Sequence, residues 1–241
     1  MIEVEGHAET GRPLRGGPGA GAPDRVYNAL RERILSFDLP PGAVLSRNEI
    51  AREYGMSQTP VRDALQRLGQ DGLVRIYPQS KTIVAPIDSQ QLSETHFLRV
   101  AVETEVVRRL ARNTDQTALK RTKGIVKMQR ALMEAGDQMD MFAELDRDFH
   151  RSLFEAIGMV SLHEMLTDRL GHLYRCQRLE LPREGKARDI VEAHEAILAG
   201  IESGDAEQAA RAVHAHLSGT ISRVESIRAE YPDYFTDGVL G

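Results

Sequence analysis

The sequence predicts a mainly α protein in two parts: a small N-terminal unit of three helices and a β-hairpin, then an all-α six-helix bundle. Three observations carry that expectation. Short helical runs at about 46–54 and 57–70 flank a turn at Gly55. Two strand-like runs, Leu73–Tyr77 and Thr82–Ala85, follow at once across Pro-Gln-Ser-Lys. Beyond Asp88 the apolar residues recur at helical spacing to about residue 230, with no strand signal and no internal repeat.

Residues 1–22 contain GRPLRGGPGAGAP, which has no apolar period and reads as a disordered arm. It is either a solvated tail or an arm whose Arg12 and Arg15 brush phosphate. A first helix should start at Asp24, with Val26, Ala29, Leu30, Ile34 and Leu35 on one face, and end before Leu39-Pro40-Pro41-Gly42. With the two short helices and the hairpin it makes a winged helix-turn-helix over 23–87. The second domain, 88–230, is punctuated near Asn113, Gly136, Gly158, Pro182 and Gly204. That gives helices at roughly 89–112, 116–135, 138–157, 160–181, 186–203 and 205–230. Residues 231–241 form a C-terminal tail.

A chain of 241 residues, 41% of them hydrophobic, can bury two compact cores. No apolar run approaches the roughly 18 residues of a membrane span. The opening MIEVEGHAET is acidic and lacks the apolar stretch of a secretory signal. The single cysteine, Cys176, excludes an internal disulfide and a cysteine-based zinc finger, and reads as a small buried hydrophobe. A cytoplasmic location, with no membrane partner, is the expectation. The net charge of −5 conceals an asymmetry: residues 24–86 hold nine Lys/Arg against seven Asp/Glu, and residues from 88 onward hold twenty against twenty-six. Any nucleic-acid contact therefore belongs to the first third.

The segment NEIAREYGMSQTPVRDALQRL carries the most specific signal. A helix-turn-helix needs a small residue where its helices cross, a turn residue tolerant of positive φ, and a branched apolar anchor in the second helix. Ala51, Gly55 and Val61 supply these. Ser57 is placed as an N-cap, and Pro60 falls in the first turn of the second helix. Gln58, Thr59, Arg62 and Gln66 then face outward, and Gln and Arg read adenine and guanine edges bidentately in the major groove. Arg47, Asn48, Ser80 and Lys81 fall where the preceding helix and the wing meet phosphate. Such proteins read two half-sites about a helical turn apart, so a homodimer on an inverted repeat is expected.

The second half holds another constellation. Asp146 and His150 lie at i, i+4 within the stripe Phe142, Leu145, Phe149, Leu153. His194 sits among Ile190, Val191, Ile197 and Leu198, and His216 among Val213, Leu217 and Ile221. An unpaired carboxylate on an apolar stripe costs several kcal/mol. Convergence of the three imidazoles on it would remove that cost by sharing a divalent ion. Nitrogen and carboxylate donors without thiolate suit Zn, Ni, Mn or Fe. The competing reading of each histidine is a hydrogen-bonded core residue.

The stretch PGAVLSRNEIAREYGMSQTPVRDALQRLGQDGLV closely resembles the N-terminal domain of the GntR family of transcription regulators. Two departures stand out: Gln58 where the family usually has Arg, and a wing tip Tyr-Pro-Gln-Ser-Lys-Thr without the common Gly. LRVAVETEVVRRLA, LDRDFHRSLFEAIG, EAHEAIL and HAHL resemble the FCD effector domain of the FadR-type branch, and six helices point to its VanR-like subgroup. The resemblance spans about 24–228. It implies a metal held by Asp146, His150, His194 and His216, with Arg99 facing an effector; Glu103, one turn on, is a further effector-binding candidate. It implies a repressor released from operator DNA when a small organic acid binds beside the metal. Three alternatives stand: a metal-sensing repressor in which the ion is the signal, a metal-dependent hydrolase with Glu103 as its one conceivable base, and a transcription activator.

Overall fold

The computed structural model describes residues 21–113, 116–133 and 138–236. The N-terminal arm, Arg12, Arg15 and Gly136 lie outside the described residues. Helix α1 spans Ala22–Leu35, two residues earlier than Asp24, because Pro23 falls in the first turn, where a missing N–H costs nothing. Its buried stripe Val26, Leu30, Ile34 packs on α3. Helix α2, Arg47–Glu53, is capped by Ser46, whose hydroxyl accepts from the Glu49 N–H. Gly55 turns the chain at φ +62, and α3 runs Gln58–Gln70 with Val61, Ala64, Leu65 and Leu68 buried. Ser57 occupies the N-cap position without a side-chain cap bond.

The wing is a two-stranded antiparallel sheet, β1 Val74–Ile76 and β2 Thr82–Val84, in register Val74↔Val84 and Ile76↔Thr82. Its tip has no glycine, and Gln79 takes the left-handed position at φ +54. Asp88 caps the long α4, Ser89–Arg112, by accepting from the Gln91 N–H.

The second part is helical throughout its described residues. It contains α5 Lys120–Leu132, α6 Met139–Ala156, α7 Val160–Thr167, α8 Gly171–Glu180, α9 Lys186–Glu202, α10 Ala206–Ile221 and α11 Val224–Glu230. Two of the six expected helical spans are each interrupted. Between α7 and α8 the chain turns at Asp168–Leu170, and α8 starts on Gly171, where an added Cβ would lie 2.6 Å from Leu73 Cδ2. A larger residue there would push the buried Leu73 side chain of the winged domain aside. Between α10 and α11, the Ser218 and Ser222 hydroxyls donate to the His214 and Gly219 carbonyls, competition that weakens a helix end. Helices α4, α9 and α10 pack on one another and α6 lies against α4 and α5.

The C-terminal segment folds back on the interdomain linker. Phe235 is buried and bridges to Ile87, whose N–H donates to the Tyr234 carbonyl at 2.7 Å. Cys176 on α8 is buried, and burial pushes its thiol up to about 12. No helix of the described residues is long and apolar enough to cross a membrane.

Candidate functional site

Helix α6 buries Phe142, Leu145, Phe149 and Leu153 and carries Asp146 and His150 on the same stripe. Helices α9 and α10 bring His194 and His216 to it. One donor atom from each of these four residues lies within 4.8 Å of all the others. His150 Nε2 is 3.1 Å from His216 Nε2, and His194 Nε2 is 3.2 Å from that atom and 3.5 Å from Asp146 Oδ1.

Each ring is oriented from behind. A carboxylate only accepts, so His150 Nδ1–H donates to Glu103 Oε2 at 2.6 Å. His194 Nδ1–H likewise donates to Gln129 Oε1 at 2.8 Å, and the Phe149 ring stacks on His194 with centroids 3.6 Å apart. Burial, followed by the neighbouring His216 and His150, holds His194 well below the ordinary imidazole value. Burial, followed by His150 and Arg99, does the same to His216. Burial pushes the Glu103 carboxyl up, but the Arg99 guanidinium, donating from Nε at 2.6 Å, and His150 outweigh it and hold Glu103 well below the usual carboxylate range.

These bonds decide what the site can hold. With its Nδ1 proton committed to Gln129, His194, held neutral by burial, aims an Nε2 lone pair into the space it shares with His150 Nε2, His216 Nε2 and Asp146 Oδ1. Asp146 Oδ1 is buried without a hydrogen-bond partner. An orphan of this kind costs about 1–3 kcal/mol. Convergent imidazole nitrogens beside an unpartnered carboxylate oxygen fit a divalent cation. Glu103 and Gln129 stand where a metal-ligating imidazole places the acceptor for its other N–H.

Asp146 and His216 line a cavity of about 1850 Å³ together with Arg99, Tyr174 and Gln177, and the same cavity reaches Arg31 on α1. Arg99 therefore faces it as the sequence suggested. Glu103 sits behind Arg99 and His150, only 2% exposed, and is bonded to both. Sequence reasoning gave no role to Gln129, although a glutamine in register with Ile125 and Val126 on the buried side of α5 was a usable signal.

The DNA-reading candidates form a second, separate face. Arg47, Asn48, Ser57, Gln58, Thr59, Arg62, Gln66, Ser80 and Lys81 are all exposed. Gln58 Nε2 donates to Asn48 Oδ1 at 2.6 Å, which ties the start of α3 to α2. Arg62 bonds only loosely to Asp63, at 3.4 Å, so its guanidinium is available.

The profile described as "Bacterial regulatory proteins, gntR family" matches residues 23–84, and that of the FCD domain matches residues 94–219. The chain is 32% identical over 211 residues to a Streptomyces ambofaciens protein titled "Uncharacterized HTH-type transcriptional regulator in unstable DNA locus", covering 87% of this chain and 88% of that one. It is 27% identical to the HTH-type transcriptional repressor RspR of Escherichia coli (strain K12), over 88% of this chain and 93% of that one. It is 26% identical to the gluconate operon transcriptional repressor of Bacillus subtilis (strain 168), over 84% of this chain and 85% of that one. Among solved structures, E. coli McbR/YncC shares the fold with a TM-score of 0.70 at 22% identity, over 88% of this chain and 99% of that one.

Proposed function

We propose a ligand-released repressor function for this chain, which belongs to the gntR family of bacterial transcription regulators and carries an FCD domain. The winged domain would dock α3 in the major groove of one half-site, with Gln58, Thr59, Arg62 and Gln66 at base edges. Arg47, Asn48, Ser57 and Lys81 would hold phosphate. A homodimer would present two such domains to an inverted repeat. The observation that carries the effector half is the four-residue cluster opening onto a cavity that reaches α1.

Asp146, His150, His194 and His216 would hold a divalent ion, with Zn, Ni, Mn and Fe all compatible with this donor set. When bound, such an ion supplies Lewis-acid positions for a carboxylate. Arg99 would bind the carboxylate of a small organic acid while Glu103 holds the guanidinium in place from behind. Effector and operator then weaken one another by the same factor. Glu103 is fully engaged with Arg99 and His150, so it is poorly placed as the base of a hydrolase.

His194→Ala tests the division of labour. Metal affinity, measured calorimetrically, should fall at least about 10-fold and carboxylate-induced release should fail. Operator affinity by fluorescence anisotropy should stay within a few-fold. Loss of operator binding in the folded variant would break the assignment. Release of the wild-type protein by metal alone would make the ion itself the signal.

A further inference from the structure

The cavity beside the metal cluster is lined by several cations, and most of them are already spent. Arg33 pairs with Glu53, Arg178 with Asp140, and both Lys186 and Arg223 with the buried Glu180. Arg99 Nε is held by Glu103. Two lining guanidiniums have no carboxylate within salt-bridge distance among the described residues: Arg31 on α1 of the winged domain, whose charge reaches the Asp71 carboxylate from farther away, and Arg147 on α6 of the helical domain.

These two meet at one side chain. Each guanidinium carbon lies 5.8 Å from the centroid of the Tyr174 ring, so the two are no more than twice that distance apart. Tyr174 lines the same cavity and lies close enough to Arg99 to act on its charge. Arg31 spends one terminal nitrogen on the Thr167 carbonyl at 3.0 Å, and its Nε is buried with no partner. Two like charges sharing a partly buried wall repel, and a buried guanidinium N–H without an acceptor is costly. A carboxylate between them would offset the repulsion.

We propose that the effector is a dicarboxylate that spans the two domains. One carboxylate takes the Arg99 and metal-cluster end, and the second lies between Arg31 and Arg147 beside Tyr174. This rests on the carboxylate reading above and goes beyond it by naming the second anchor. It also gives the ligand a direct grip on the DNA-binding unit, because α1 packs on the recognition helix α3. A ligand that engages Arg31 acts on the element that positions α3, without needing a relay through the bundle.

The test uses the full-length protein supplied with Zn²⁺ and calorimetric titration of succinate, glutarate and adipate against butyrate, valerate and hexanoate. Wild type should bind one dicarboxylate at least about 10-fold more tightly than the monocarboxylate of equal length. Arg147→Gln, at a partly exposed site with no salt bridge to lose, should erase that margin while leaving monocarboxylate affinity unchanged. Arg31→Gln should do the same and should also blunt release from operator DNA. Equal affinity for the two series, or margins that survive in both variants, overturns the bridging site and leaves the metal-and-Arg99 reading standing. If no carboxylate of either series binds, that underlying reading fails and this one falls with it.

Discussion

His172 lies on α8 with its ring wholly inside the domain interface. The Arg175 guanidinium can only donate, so His172 Nδ1 accepts from it at 2.6 Å and His172 Nε2–H donates to Gln91 Oε1 at 3.1 Å. Burial, then the Arg175 charge, pushes this imidazole down to about 3. In the unfolded chain it titrates near its ordinary value of about 6.5. Between those values the unfolded state binds the extra proton, so stability is complete above about 6.5 and falls as the pH drops toward 3. The slope for one such group is at most about 1.4 kcal/mol per pH unit. Urea unfolding with metal chelated, at pH 7.5, 6 and 5, should show this loss, and His172→Gln should make it shallower. An unchanged slope in the variant would mean that other groups carry the acid sensitivity.

Gly200 shows what an element demands of its neighbour. Inside α9, alanine should beat glycine by about 1 kcal/mol on helix propensity alone. Yet a Cβ there would lie 2.7 Å from Ala209 Cα and 2.8 Å from Ala209 N on α10, and backbone cannot swing aside. Gly200→Ala is therefore expected to destabilise the protein by about 1–3 kcal/mol. It should also weaken metal binding, because the helices it forces apart carry His194 and His216. Gly124 on α5 is the internal contrast, since nothing lies within 4 Å of its added Cβ. Gly124→Ala should stabilise by up to about 1 kcal/mol. Chemical denaturation of the pair decides the matter, and a stabilised Gly200→Ala would refute the close-contact account.

At the scale of the whole molecule, α8 touches both working surfaces. Tyr174 and Gln177 line the cavity, while Arg175, fully buried, donates from Nη1 to the Ala85 carbonyl at the end of the wing at 2.7 Å. The chain of bonds continues from His172 through Gln91, which donates to the carbonyl of Asp71 at the C-terminus of α3, and the Asp71 carboxylate accepts from the Tyr27 hydroxyl at 2.6 Å. Burial lowers Arg175 to about 10, and no carboxylate pairs with it among the described residues. Such an expensive group ties the two domains into one unit. Arg175→Leu should leave operator affinity within a few-fold in anisotropy titrations. The carboxylate concentration needed for half-release should rise at least about 10-fold. Unchanged release would place the coupling elsewhere.

Much of this was legible in the chain alone. Apolar spacing marked both domains, Gly55 marked the turn, and an aspartate with three histidines on apolar stripes marked the cluster, because a helix's period reports which side chains are buried together. The same period says nothing about which other helix a buried face will meet. Crossing geometry chose Glu103 and Gln129 as the partners behind His150 and His194, and it required glycine where α9 meets α10. It also brought Arg31 and Arg147, 116 positions apart in sequence, to one tyrosine ring. Sequence determined which residues are buried and which chemistry they carry; the packing of helices from two domains decided which of those groups face one another.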